Sequence, residues 1–318
     1  MSLPIEVLQD MTADVVETYY THLLGNFFRL APEHRSVCHY TNGIALLAIL
    51  DSGVLRLTNV RFMNDPQELN HSVEILRDLI RRATFGLVQR ATPAIDHVRD
   101  HVIPKLQERS TRQYIFSTSL DTDSTHMWSS YAKDDGYALE FDIPKLVDLF
   151  STLKVALKSD NGFLYKDFSR FNGVVLYDRA LQRGLIEYTI DYVDRLIRQL
   201  PLDKGIVNPQ EVAERVTGIT HAFYSALYNM KGPHHQDEHE YRFVLLPDPG
   251  YSHVQTRRVG STDVPYVEAL GMLPAAKQIW IGPGRHDPSR KASIRRLASS
   301  RYPSIIWKTT AVGVIDGT

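Results

Sequence analysis

Residues 232–250 read GPHHQDEHEYRFVLLPDPG, and the parsing of this stretch decides the fold. Gly232-Pro233 at one end and Pro247-Asp248-Pro249-Gly250 at the other are turn signals. Between them, Tyr241-Arg242-Phe243-Val244-Leu245-Leu246 is rich in aromatic and branched residues. The expected order is turn, strand, turn. It sets Glu238 and Glu240 on one face at the start of a strand, with Arg242 two places further on. Taken alone, an acid-x-acid-x-Arg alternation is a solvated strand face with an exposed ion pair of small energetic value. A carboxylate at a strand edge is also the group that steadies a sugar carbocation when a glycosidic bond breaks.

The same stretch spells a rival motif. His235-Gln236-Asp237-Glu238-His239 is H-x-x-E-H, the inverted zinc-peptidase pattern, which would make His235, Glu238 and His239 the site of a zinc hydrolase. That pattern needs a helix to bring its two imidazoles together one turn apart. A turn running into a strand denies it that register, so no metal is expected.

Working outward, 318 residues with 43% hydrophobic and 23% charged content are enough for one large domain or two small ones. A formal net charge of −1 gives no global attraction to phosphate, so a nucleic-acid partner would have to be met by a local patch. Arg285, His286, Arg290, Lys291, Arg295 and Arg296 form one such patch, which as a run is also an ordinary solvated helix face. Cys38 is the single cysteine; it excludes an internal disulfide and fits a reducing compartment, with the cytoplasm as the expected location. Within Val37-Cys38-His39-Tyr40 a small thiol packing in a strand is the commoner role than a nucleophile. Neither a secretory leader nor a membrane span is expected from the apolar patterning.

Along the chain, residues 4–24 carry helical apolar spacing. Ser36–Tyr40 reads as a strand, Asn42 as the N-cap of a helix over Gly43–Leu50, and Val54–Thr58 as a second strand. A long amphipathic helix is expected over Asp65–Leu87 and a further helical stretch over about 92–108. Strands follow at Gln113–Ser119 and Tyr137–Phe141, with a short helix over Ser124–Ala132 between them. Residues 172–178 suggest a strand and 179–230 two helices. Strands near 253–259, 264–269, 278–282 and 304–308, with a basic helix over 287–300, complete the pattern. The expected organisation is an N-terminal helical extension over 1–35 and one α+β domain over 36–318, with helical insertions near 65–109 and 179–230.

Four clusters carry polar chemistry, each with a plain structural alternative. His39-Tyr40-Thr41 ends the first strand, where a histidine is commonly just packed. Asn64-Asp65-Pro66-Gln67-Glu68 reads as a helix start. Phe116-Ser117-Thr118-Ser119 is followed by Trp128 and Tyr131, three apart on one helical face, a spacing that also suits core packing. The fourth cluster is Glu238-x-Glu240-x-Arg242.

In order and spacing, His-Tyr-Thr, Ile-Leu-x-Ser-Gly-x-Leu, Asn-Asp-Pro-x-Glu, Ser-x-Ser, Met-Trp-x-x-Tyr-Ala, Gly-Tyr-Ala-Leu-Glu-Phe, Glu-x-Glu-x-Arg and Ile-x-Ile-Gly resemble an uncharacterised bacterial domain family related to the ADP-ribosyltransferase superfamily. The resemblance spans about 36–300; His235 stands where that family usually has a Trp. It implies an α+β fold with a split mixed or antiparallel sheet and added helical layers. It further implies a transferase, of toxin or defence character, that moves ADP-ribose from NAD to a protein or nucleic-acid acceptor, with a neutralising partner protein possible. Residue by residue, it implies Glu240 as the catalytic glutamate, Glu238 as the acid facing the acceptor, and His39 on an NAD ribose. It places Tyr40, Thr41, Asn64, Ser117, Thr118, Ser119, Trp128, Tyr131 and Arg242 in the NAD site. The open alternative is a noncatalytic relative that binds a nucleotide or a partner.

Overall fold

The computed structural model describes residues 31–63 except 32, 68–84, 95, 98–104, 112–153 except 134, 155–159, 162–166, 169–198, 227–246 and 254–312. The segment 4–24 and most of 92–108 and 199–226, where helices were expected, lie outside the described residues, as does Asn64. In chain order the elements are β1 (Ser36–Asn42), α1 (Gly43–Ser52), β2 (Val54–Asn59), α2 (Glu68–Thr84), β3 (Tyr114–Ser119), α3 (Thr125–Tyr131), β4 (Gly136–Asp142) and α4 (Ile143–Ser151). They continue as β5 (Val155–Ser159), β6 (Gly162–Lys166), β7 (Ser169–Val174), α5 (Arg179–Arg198), β8 (Glu240–Leu246), β9 (Gln255–Val259), β10 (Thr262–Leu270), β11 (Ala276–Ile281), α6 (Pro288–Arg301) and β12 (Ile306–Thr309).

The chain divides into two compact units, one of residues 1–29, 60–113 and 175–233, the other of 30–59, 114–174 and 234–318. Both stretches expected as helical insertions fall in the first. Within it, α2 and α5 bury Val73, Leu76, Ile80, Leu185, Ile186 and Ile190. Polar bonds tie these helices to the chain around 227–231: Ser72 donates to the Leu227 carbonyl (2.8 Å), and Gln182 Nε2 donates to the carbonyls of Leu176 and Lys231 (2.6 and 2.8 Å).

The second unit is mixed α/β, built on a mixed sheet ordered β12-β11-β4-β1-β3-β2-β10-β9. Its pairs are antiparallel except β11–β12. At β3 the sheet forks. One edge of β3 is filled along its length by β8, from Tyr114↔Leu245 to Ser119↔Glu240, and β7 lies beyond β8. The opposite edge is shared, with β1 at Cys38↔Ser119 and β2 at Thr58↔Ile115 and Asn59↔Tyr114. Between those two anchor points β1 and β2 diverge.

Local sequence explains the turns into this sheet. The Asn42 side chain accepts from Ala45 N (2.9 Å), and Gly53 closes α1 in the left-handed region at φ 71°, where a Cβ would be strained. Asp142 caps α4 with Pro144 in its first turn, and Asp287 caps α6 with Pro288 at its first position. Helix α4 and the β5–β6 hairpin were not expected from the sequence, and the strand expected at 172–178 lies at 169–174.

The main core lies on one face of the sheet. It joins Leu46 and Leu50 of α1, Ile294 and Ala298 of α6, and Phe116, Leu139, Phe141, Phe243 and Leu245 from the strands. A smaller cluster of Cys38, Tyr40, Trp128, Ala138 and Trp280 lies on the opposite face, beneath α3. That burial accounts for Cys38: its environment pushes the thiol well above its ordinary pKa, chiefly by desolvation and then by the Glu140 charge.

Candidate active site

Side chains alternate along β8, so Tyr241, Phe243 and Leu245 enter the main core and Glu240 and Arg242 point the other way. Register sets Ser119 opposite Glu240 and Ser117 opposite Arg242, which gathers all four on that second face. The Arg242 guanidinium grips Glu240 with both arms, Nε to Oε1 at 2.8 Å and Nη2 to Oε2 at 2.7 Å. Their side chains are only 1% and 6% exposed. The exposed ion pair that an isolated strand face would carry is therefore corrected to a buried one on a strand paired along both edges, with β3 and with β7.

Glu238 is not on the strand, which corrects the shared-face reading of the two acids. Residues Pro233–Glu238 form a 3₁₀ turn, His239 follows at φ 40°, and β8 starts at Glu240. The kink is pinned to the end of β3, where Ser119 Oγ donates to the Glu238 carbonyl and Leu120 N to the His239 carbonyl, both at 2.8 Å. The Glu238 carboxylate is buried, and its Oε1 receives the Tyr131 hydroxyl at 3.0 Å and His235 Nδ1 at 3.1 Å. His235 and Tyr131 are only partly buried, so they form the more open side of this cluster. His239 turns elsewhere, with Nδ1 2.9 Å from Asp121 Oδ2. The two histidines of the H-x-x-E-H stretch thus face different carboxylates. Among the described residues no group of three or more His, Cys, Asp or Glu side chains is placed to hold a metal ion.

The remaining expected residues separate. His39 fills the fork: its Nδ1 donates to the Ser117 carbonyl at 3.1 Å, and its ring lies 4.8 Å from that of Phe116. Alternation along β1 groups it with Val37 and Thr41, away from Cys38 and Tyr40. Burial lowers its pKa below the ordinary value; the Ser117 carbonyl opposes that shift and the Arg257 charge adds to it. Tyr40 donates to the Asp121 carbonyl and accepts from Ser124 N, which places it at the base of α3. Thr41 is buried opposite Tyr137 on β4. Thr118 donates to the Tyr241 carbonyl, while the enclosed Ser117 hydroxyl has no hydrogen-bond partner among the described residues. Trp128 is a core residue, edge-on to Tyr40 and bonded through Nε1 to Asp123. Of the two aromatics on α3, Tyr131 is the one that reaches the carboxylate.

Two buried acids escaped the sequence reading. Glu140 on β4 accepts from Trp280 Nε1 (2.7 Å) and Lys277 Nζ (3.0 Å), and its signal was an acid inside an otherwise apolar strand. Asp135, at φ 58°, meets Arg290 and His286 beside the start of α6. The basic patch is thus partly spent internally: Arg290 is paired with Asp135, and Arg295 stacks over Trp307.

No curated protein and no solved structure matches this chain. A family model described as a protein of unknown function, DUF2971, matches residues 127–243, a span running from the start of the Trp128–Tyr131 pair through Glu238, Glu240 and Arg242. The matched stretch contains every residue of the Tyr131–His235–Glu238 cluster.

Proposed function

We propose that the chain is an NAD-consuming ADP-ribosyltransferase in which Glu238 faces the reacting ribose. What supports the reading is one arrangement: a buried carboxylate held by a phenol and an imidazole, Tyr131 and His235, above a buried Glu240–Arg242 pair. A sheet that forks at β3 is compatible with the split sheet such an enzyme uses. In the reaction the bond from ribose C1′ to the nicotinamide nitrogen breaks and the bonding pair leaves with nicotinamide. An acceptor O–H or N–H then bonds through its oxygen or nitrogen to C1′ and releases its proton to solvent. The fixed Glu238 charge stabilises the oxocarbenium-like ribose more than the ground state, a contribution of about 3–4 kcal/mol for one well-placed electrostatic contact. Tyr131 and His235 hold the carboxylate so that little reorganisation is needed. Glu240 has both oxygens in the guanidinium fork, so in this proposal it braces the site while Glu238 meets the substrate.

The experiment is incubation of the chain with NAD labelled in the adenine, with cell extract as acceptor, reading nicotinamide release and label on macromolecules. Glu238→Gln should abolish both while leaving the urea midpoint nearly unchanged. Absence of release and label with the wild-type chain, or full activity in Glu238→Gln, would sink the proposal. Binding of NAD and ADP-ribose without turnover would instead favour a nucleotide-binding module.

A further inference from the structure

On the same face of the sheet as Glu240, β2, β10 and β9 present a second cationic group. Thr58 lies opposite Ile115, which lies opposite Val244, so this group shares a face with Arg242 from two strands away. Register places Tyr266 opposite both Thr58 and Gln255, Glu268 opposite Arg56, and Val264 opposite Arg257. The Arg56 guanidinium stacks 4.6 Å above the Tyr266 ring. Tyr266 in turn donates to Gln255 Oε1 at 2.9 Å, and Arg257 Nη2 reaches Thr58 Oγ1 at 3.4 Å.

Two cations are held beside one another here with little to neutralise them. Glu268 lies 3.9 Å from Arg56, beyond hydrogen-bond distance, and Arg257 has no ion pair with a carboxylate among the described residues. Arg257 has its pKa lowered, first by burial and then by the Arg56 charge. Elsewhere in the same unit arginines on strands find close acids, as Arg242 does with Glu240 at 2.7 Å and Arg258 with Asp263 at 3.0 Å. A stacked guanidinium gives up little further freedom on binding, and two planar forks suit the oxygens of two adjacent phosphoryl groups.

We propose that Arg56 and Arg257, supported by Tyr266 and Thr58, bind the diphosphate of a nucleotide. A diphosphate supplies the counter-charge that Arg257 lacks, outcompetes the one long Glu268 contact of Arg56, and offers enough oxygens for both forks. The site does not depend on the transferase reading, because a nucleoside diphosphate has no nicotinamide to expel and its binding requires no turnover.

Titration calorimetry of the full chain at fixed ionic strength, with ADP, AMP, inorganic pyrophosphate and a single-stranded oligonucleotide as the probes, tests it. ADP and pyrophosphate should bind, and AMP at least tenfold more weakly than ADP. Arg56→Ala and Arg257→Ala should each weaken ADP tenfold or more with unchanged thermal midpoints, and Arg257→Lys should fall between wild type and Arg257→Ala. Pyrophosphate binding as tightly as ADP identifies the phosphates alone as the recognised group; tighter ADP binding adds the nucleoside. No binding of either probe to the wild-type chain, equal ADP affinity in the double Arg56→Ala/Arg257→Ala variant, or binding of an oligonucleotide in preference to ADP would each overturn the proposal.

Discussion

Arg242 and the Arg56–Arg257 group occupy one face of one sheet, yet they meet opposite fates. Arg242 is buried on β8, a strand paired on both edges, and holds Glu240 by two bonds, whereas Arg56 and Arg257 sit toward the β9 edge with a single distant acid. A charge taken out of water must be paired with good geometry or it is not tolerated; one left near water can remain incompletely paired and available to a ligand. Residue type alone therefore says little about role. How far each cation is satisfied separates the architectural arginine from the receiving ones.

The largest expected effect tests the sealed pair. Arg242→Met should cost about 3–5 kcal/mol of stability in urea unfolding, because it strips Glu240 of both guanidinium bonds inside the protein. The double change Glu240→Gln/Arg242→Met should recover much of that loss, since no buried charge is then stranded. A single variant as stable as wild type would mean that the pair is not architectural. Glu238→Gln in the same assay should be far milder, since an isosteric amide can keep the Tyr131 hydroxyl bond.

The parts of the fold that local chemistry dictates are legible in the sequence. Asn42 ahead of an apolar helix, Asp287-Pro288 ahead of a basic one, and the run Tyr137–Phe141 each form the element their residues favour. Helix α4 was missed, although Asp142 and Pro144 mark its start, because the β4 strand runs directly into it. Glu238 and Glu240 looked like one alternation because a single residue, His239 at φ 40°, breaks it, a conformation uncommon for non-glycine residues. The kink is pinned by the end of β3, more than a hundred positions away in the chain. The burial of Arg242 was hidden too, since the alternation of β8 says which side chains share a face and not whether that face is covered. The cationic group also escaped notice, because Arg56, Arg257 and Tyr266 are brought together only by strand register.

His39 lies in the fork and senses the open group. Its folded pKa is below the ordinary 6.5, chiefly through burial, so the unfolded chain takes up the proton first as the solution is acidified. The stability associated with neutral His39 is therefore complete above about pH 6.5 and is lost as pH falls from there toward the lowered folded value. Urea midpoints measured from pH 7.5 to 5 should decline along this limb, and His39→Gln should flatten it. An unchanged slope in that variant would show that another group carries the acid sensitivity.

The smallest effect is expected where the comparison began. Arg257→Ala removes a half-satisfied cation whose one side-chain hydrogen bond among the described residues is the 3.4 Å contact with Thr58, so its cost at neutral pH should stay within about 0.5 kcal/mol. The same change deletes a positive charge that depresses the His39 pKa. His39 should then titrate nearer its ordinary value, and the acid limb of the stability profile should become shallower, in the same direction as His39→Gln but less completely. If Arg257→Ala proved as destabilising as Arg242→Met, Arg257 would belong with the sealed arginine, and the edge of this sheet would be structure with no vacancy for an anion.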